Sequence, residues 1–258
     1  MRSQIPTASL PRIAAGRLLR ERAYDALRNA IVRLELPPGQ ALTERVLSER
    51  LGVSKSPIRD ALMHLEREGL VRSTPFKGFE VAPLTEADCR EVFQFREALE
   101  VYCVDRFARG HDAAALAAVE ETHREQAGLI EAGRPLEAYT RSRFHALLMA
   151  SLRNPTFLSA SRIVQAHVQR IQHVAAAIAG QIEQTHREHG AILEAIRDRD
   201  ATAAAGRMRA HIYSVLDEVV RSAEFQRLAT PAPGVAGTAT AEAGAPWPPV
   251  HLEPEVAT

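Results

Sequence analysis

The stretch Gly52-Val53-Ser54-Lys55-Ser56-Pro57-Ile58-Arg59-Asp60-Ala61-Leu62, running on through Leu65 to Gly69-Leu70-Val71, leaves this chain few choices of fold. Ser54 stands where an N-cap is needed. Its hydroxyl can accept an amide proton that the first turn leaves without a partner, and Pro57 falls within that turn, where a missing N–H costs nothing. Ile58, Ala61, Leu62 and Leu65 recur at helical spacing and demand a core on one side, and Gly69 can close the helix in a left-handed turn. Lys55, Ser56 and Arg59 gather at the N-terminal end, the end that a helix-turn-helix pushes into a DNA major groove.

The flanking residues complete such a module. Thr43 can cap a short helix through Leu51 whose apolar positions are Leu42, Val46, Leu47 and Leu51, and Gly52-Val53 makes the tight turn between the two helices. Downstream, Leu70-Val71-Arg72 and Phe79-Glu80-Val81 flank a turn with Lys77-Gly78 near its tip, which predicts a β-hairpin wing. Upstream, Leu18 to Leu34 is amphipathic, with Leu19, Ala23, Leu27, Ala30, Ile31 and Leu34 on one side, and it ends at Pro37-Pro38-Gly39. The expectation is a winged helix-turn-helix over residues 17–82, after a flexible start at 1–16.

Many positions here resemble the GntR family of bacterial regulators. The family pattern is Gly-Val-Ser-(Arg/Lys)-(Ser/Thr)-Pro-(Ile/Val)-Arg-(Asp/Glu)-Ala-Leu, then Leu-x-x-(Glu/Asp)-Gly-Leu and a glycine wing. It stands in this chain as Gly52 to Leu62, Leu65 to Leu70, and Gly78, behind Leu36-Pro37-Pro38-Gly39. The resemblance implies Arg45, Lys55 and Arg59 as the main DNA-contacting cations, helped by Ser54, Ser56 and the wing at Gly78, on a double-stranded operator.

Net charge at first argues against nucleic acid, since 32 Lys+Arg balance 32 Asp+Glu. The distribution removes the objection. Up to Ala82 there are 14 basic and 9 acidic residues, and beyond it 18 basic and 23 acidic. Clustered basic charge is what neutralises phosphates, and a mildly basic module suits a homodimer that combines two such faces. Cys89 and Cys103 form neither a C-x-x-C pair nor a disulfide framework, so reduced, buried thiols are expected. The start lacks the long apolar run of a secretory signal, and no stretch approaches the ~20 apolar residues of a membrane span, which points to the cytoplasm. Residues 228–258 are rich in Ala, Pro, Gly and Thr and read as a disordered tail.

Residues 85–224 carry a helical pattern throughout. Thr85-Glu86-Ala87-Asp88 reads as a capping box opening a helix to Arg109, and five more are expected at about Ala113–Ala132, Pro135–Arg153, Thr156–Ala179, Ile182–Arg199 and Ala201–Ser222, the last capped by Asp200. The fold class is therefore mainly α: a winged helix-turn-helix followed by an all-α six-helix bundle, whose ligand sites would lie between helices.

Phe95-Arg96-Glu97-Ala98-Leu99-Glu100, Arg143-Phe144-His145, Asn154-Pro155, Glu188-His189-x-x-Ile192, Asp200-x-x-x-Ala204 and Met208-x-x-His211 bring a second resemblance, to the FadR-like subgroup, whose effector domain is an all-α bundle. In many members three histidines and an aspartate hold a divalent cation that coordinates a small carboxylate effector. The matching histidines are His145, His189 and His211. The aspartate should stand four residues before His145, one turn away on the same face, where this chain has Arg141. An arginine has no lone pair to donate and repels a cation. Three imidazoles alone can still bind zinc, nickel or a similar borderline ion with positions left open. Arg141 is expected to pair instead with an effector carboxylate, with Arg96 as a second anion contact.

Gln165, His167, Arg170 and His173 on the fourth bundle helix are weaker candidates, expected mostly at the surface. His186-Arg187-Glu188-His189 has neither order of a zinc-protease motif. Two other readings are weighed: a three-histidine metalloenzyme fused to a DNA-binding module, for which the motifs offer no convincing carboxylate beside the histidines, and an architectural DNA-binding dimer without effector. The sequence favours a non-enzymatic regulator, most simply a repressor.

Overall fold

The computed structural model describes residues 15–74 and 78–229. The expected flexible start and disordered tail lie almost wholly outside the described residues, as does Lys77 at the wing tip. The first unit runs α1 (Ala15–Val32), β1 (Ala41–Leu42), α2 (Glu44–Leu51), α3 (Lys55–Arg67), β2 (Val71–Thr74) and β3 (Gly78–Val81). Its sheet has the order β1-β3-β2, all antiparallel, with Leu42 opposite Phe79 and Val71 opposite Val81. The two-residue β1 has too little alternation to be read from sequence.

The apolar stripe of α3 does what its spacing required. Ile58, Leu62 and Leu65 are fully buried and share a core with Leu27, Ile31, Leu36, Leu42, Leu70 and Val81. Burial of each such side chain contributes roughly 1.5–3 kcal/mol. Leu19 departs from expectation, being 42% exposed. Between α2 and α3 the chain turns at Gly52, whose φ of 65° lies in the left-handed region. A Cβ there would meet nothing within 4 Å, so the requirement is for the backbone angle and not for space. Gly69, at φ 73°, closes α3, with Leu70 N–H donating to Leu65 O at 2.9 Å.

The second unit holds eight helices among the described residues: α4 (Glu86–Arg109), α5 (Ala113–Glu131), α6 (Pro135–Arg141), α7 (Phe144–Ser151), α8 (Pro155–Ala176), α9 (Gln181–Arg197), α10 (Ala201–Arg221) and α11 (Ala223–Leu228). The Thr85 capping box is complete, with Asp88 N–H donating to Thr85 Oγ1 and Thr85 N–H to Asp88 Oδ2, each at 3.1 Å. Asp112, Asn154 and Asp200 cap α5, α8 and α10 in the same way through their side-chain oxygens. Central α4 packs against α7, α8, α9 and α10. It carries Cys89 and Cys103, both free and buried, with burial pushing each thiol up to about 12.

The six expected helices become eight for two reasons. A short α11 follows α10, opened by the Ser222 side chain, which accepts from Phe225 N–H. More consequentially, the single helix expected from Pro135 to Arg153 is broken at Ser142-Arg143. Ser142 is extended (φ −62°, ψ 127°), and Arg143 N–H leaves the helical ladder for the hydroxyl of buried Thr122 on α5, at 3.4 Å. Arg141 and His145 therefore do not share one helical face.

The two units are bolted together along α8. Arg170, 1% exposed, donates from Nη2 to Ala82 O at 2.8 Å, and His167 Nε2 lies 2.8 Å from Glu68 O. Gln169 accepts from Arg28 on α1 at 3.3 Å. Ala166 enters the core of the first unit, while Leu34, just after α1, packs against the core of the second.

Candidate DNA-binding surface and histidine centre

Ser54, Lys55, Ser56 and Arg59 are all exposed at the front of α3. Ser54 has the extended backbone of an N-cap (φ −67°, ψ 167°), yet its side chain makes no cap bond, and neither does that of Thr43 before α2. The expected capping hydroxyls are thus left to outside partners. Arg45 bridges to Glu49 at 2.8 Å with its side chain 68% exposed, and Arg59 Nε stands 3.8 Å from Glu44. Exposed pairs of this kind contribute about 0–1 kcal/mol, so a phosphate can displace them at little cost. The wing is braced from α3: Glu66 accepts from Ser73 N–H at 3.2 Å and from the Ser73 hydroxyl, and Arg72 pairs with Glu80 across the hairpin. Gly78 is exposed at the start of β3 with φ 84°.

In the second unit, α7, α9 and α10 bring His145, His189 and His211 together, with one ligand atom from each lying within 4.8 Å of the others. His189 and His211 are each 2% exposed. Two carboxylates that the motifs had not assigned lie against the rings. His145 Nδ1 lies 2.8 Å from Glu100 Oε2, and His211 Nδ1 lies 2.7 Å from Glu188 Oε2. At His211 a proton held on Nδ1 by Glu188 leaves the Nε2 lone pair for a metal, the usual outer-shell arrangement of a histidine ligand, whereas His145 Nε2 faces Arg96 Nη2. His189 stacks on Phe144 with centroids 4.0 Å apart, and its buried Nδ1 has no hydrogen-bond partner. Donor set and spacing fit a borderline divalent ion such as zinc or nickel.

Charge acts in both directions: neutral imidazoles leave lone pairs free to ligate, while the buried Arg96 guanidinium beside His145 opposes a cation. Burial lowers all three imidazoles; His211 falls to about 4 and His189 well below its ordinary value, so all are neutral near pH 7. Arg96, 3% exposed, is paired with Glu100 at 2.8 Å and reaches His145 Nε2 at 3.0 Å. Burial alone would raise the Glu100 carboxyl, but Arg96 and His145 outweigh it and hold Glu100 well below the usual carboxylate range.

Around the cluster is a recess of about 60 Å³, and next to it a cavity of about 380 Å³; Arg96, Tyr139, Ser142, His145 and Gln172 line both. Burial pushes the Tyr139 hydroxyl up, which keeps it a neutral donor. Arg141 is absent from both linings. Its side chain is 68% exposed, pairs with Glu137 at 3.0 Å and borders a different recess against α5. Arg141 therefore does not face the cavity where the effector contact was expected, because the break at Ser142-Arg143 turns α6 away. Arg141→Ala is accordingly expected to retain as much added zinc after dialysis as the unaltered chain; retention of less than half as much would show that Arg141 does reach the cluster. On α8, His167 and Arg170 are not surface residues but the bolts to the first unit, while Gln165 and His173 line the cavity. Glu188 was visible in the sequence as the neighbour of His189, and Glu100 as the residue one turn beyond Arg96; neither had a partner until the fold supplied one.

A winged helix-turn-helix joined to an all-α unit with a lined cavity defines a DNA-binding transcriptional regulator. The chain belongs to the GntR family. Residues 19–81 match the family model for bacterial regulatory proteins of that name, and residues 91–214 match the FCD domain. An HTH-type transcriptional regulator in an unstable DNA locus of Streptomyces ambofaciens is 30% identical over 215 residues, 80% of this chain and 87% of that one. The HTH-type transcriptional repressor RspR of Escherichia coli (strain K12) is 26% identical, covering 77% of this chain and 88% of its own. A shorter match, 38% identical over 95 residues, spans 54% of a regulator from Agrobacterium vitis. The solved structure of E. coli McbR/YncC shares the fold, with a TM-score of 0.64 at 17% identity over 79% of this chain and 97% of that one. Among the described residues no helix is long and apolar enough to cross a membrane.

Proposed function

We propose that this regulator is a cytoplasmic homodimeric repressor whose grip on a palindromic operator is set by a small organic acid bound beside the histidine cluster. The DNA-binding unit is taken as residues 17–82 and the effector and dimerisation unit as 85–224. Arg45, Ser54, Lys55, Ser56, Arg59 and the wing at Gly78 face the operator, and Arg96 faces the acid. The observation that carries the reading is the convergence of His145, His189 and His211 within 4.8 Å, beside a cavity of about 380 Å³. A divalent ion held by these three imidazoles would supply open coordination positions for a carboxylate. Glu188 is engaged by His211 Nδ1 and Glu100 by Arg96, which argues against either as a free catalytic acid or base and so against the metalloenzyme reading. Phe95 and Tyr102, two turns apart on α4, stay exposed and support a paired assembly. RspR is a repressor by name, and that sign is carried over.

The test is a gel shift with a duplex selected from random sequence, run on zinc-loaded and chelator-treated protein with a panel of C2–C6 acids. At least one acid is expected to change operator affinity by about tenfold or more, a coupling of ~1.4 kcal/mol, and only in the zinc-loaded protein. Zinc-loaded protein that holds the duplex with unchanged affinity throughout the panel would remove the acid from the mechanism.

A further inference from the structure

The cavity beside the histidines is not closed by the effector helices alone. Part of its wall is α1, the first helix of the DNA-binding unit, which contributes Arg28, Asn29 and Val32, with Arg33 just beyond its end. Charge on the lining is lopsided. Among its residues three arginines, Arg28, Arg33 and Arg96, face one carboxylate, Glu100, and Glu100 is already shared by Arg96 and His145. Arg28 is half-buried and bonded to the neutral amide of Gln169 at 3.3 Å, while Arg33 is exposed. Leu99, Met149, Val164 and Val168 add apolar surface to the same wall. The cavity thus offers a carboxylate site at the histidines, guanidinium groups on and just after α1 with no carboxylate beside them in the lining, and apolar surface suited to methylene groups.

We propose that α1 is itself part of the ligand site: a linear dicarboxylate places one carboxylate at the histidine cluster and the other on Arg28 and Arg33. The proposal rests on the reading of the cluster as a carboxylate site. A guanidinium pairs with a carboxylate through two parallel N–H donors, and both arginines line the same cavity. The cations that sequence reasoning sought at Arg141 are supplied by the other unit. Such a ligand touches both units at once, so its affinity must differ between the orientations they adopt, and by linkage the operator must then sense it.

Calorimetric titration of the zinc-loaded full-length protein tests this, with succinate, glutarate and adipate set against butyrate, pentanoate and hexanoate. At least one diacid is expected to bind roughly tenfold or more tightly than the monoacid of equal length, the gain of one charge-assisted pair. The double variant Arg28→Gln/Arg33→Gln should lose that advantage while binding the monoacid as wild type does. Arg28→Lys/Arg33→Lys, which keeps both charges, should retain most of it. The single variant Arg33→Gln, at an exposed position, gives the same reading without disturbing packing and should lose part of the advantage. Monoacid binding with no diacid preference, or a preference that survives both glutamine variants, overturns the proposal and leaves the histidine reading standing. If neither acid series binds the wild type, the histidine reading fails and this proposal fails with it.

Discussion

Replacing Arg59 by alanine is expected to weaken binding to a selected operator by about 1–3 kcal/mol, roughly five- to 150-fold, and to relax base preference at one position in each half-site. Arg59 stands in the first half of α3 with its side chain 68% exposed, tethered only by a 3.8 Å approach to Glu44. Nothing in the protein core depends on it. The loss would therefore be read in DNA binding and not in folding, which a thermal melt of the variant confirms if Tm stays within about a degree. Lys55→Ala should behave similarly on a smaller scale. Arg45→Ala should weaken all duplexes alike and reduce the slope of log K against log salt by about one, the signature of a lost phosphate contact. Unchanged affinity and base preference in both Lys55→Ala and Arg59→Ala would mean that α3 is not the reading helix.

If the histidine cluster holds zinc as proposed, acid should unfold the metal-free protein well before it unfolds the zinc-loaded one. His211 is lowered to about 4, by burial first, with His145 and Arg96 acting in the same direction against Glu188. An imidazole in an unfolded chain titrates near 6.5. Between those values the unfolded chain binds more protons than the native one, so stability is complete above about pH 6.5 and is lost as pH falls toward 4. For His211 alone that amounts to about 3 kcal/mol, and His145 and His189 shift in the same direction. Against a typical total of 5–15 kcal/mol this is a large share. Urea melts of chelated protein at pH 7.5, 6 and 5 should show a steadily falling midpoint. Zinc at a hundredfold excess over its Kd should add about 2.7 kcal/mol at pH 7.5, a gain that fades as the ligands protonate. His189→Ala should abolish it. A flat pH profile, or equal stabilisation of His189→Ala and wild type by zinc, would contradict the account.

The DNA-binding unit was legible because its signals are local. Helical spacing at Ile58, Ala61, Leu62 and Leu65 and the left-handed glycines at 52 and 69 fix α2, the turn and α3 without reference to distant residues. The three histidines were legible for a different reason, a family pattern, and the fold does bring them together. Arg141 was misplaced because a helix break is decided by a tertiary partner: Thr122, more than five turns of chain away, takes the amide of Arg143. Periodicity across Pro135–Arg153 carries no trace of that bond. Likewise His167 and Arg170 looked like surface polar residues because α8 faces a second unit, and what lies opposite a helix is invisible in the helix itself.

Arg170 has a mechanical consequence. Its guanidinium is fully buried at the joint, donating to Ala82 O at 2.8 Å, with its Nε lacking a partner and burial lowering its pKa to about 10. A cation in that position cannot be drawn gradually toward another acceptor, since every intermediate position leaves more of its donors unsatisfied in a low-dielectric setting. The joint between the two units should therefore behave as a latch and not as a spring. Its orientations would be few and discrete, separated by the cost of unseating one arginine, and reorientation would fall in the microsecond-to-second range of domain rearrangements, slower than the nanosecond wobble of a loosely tethered reading head.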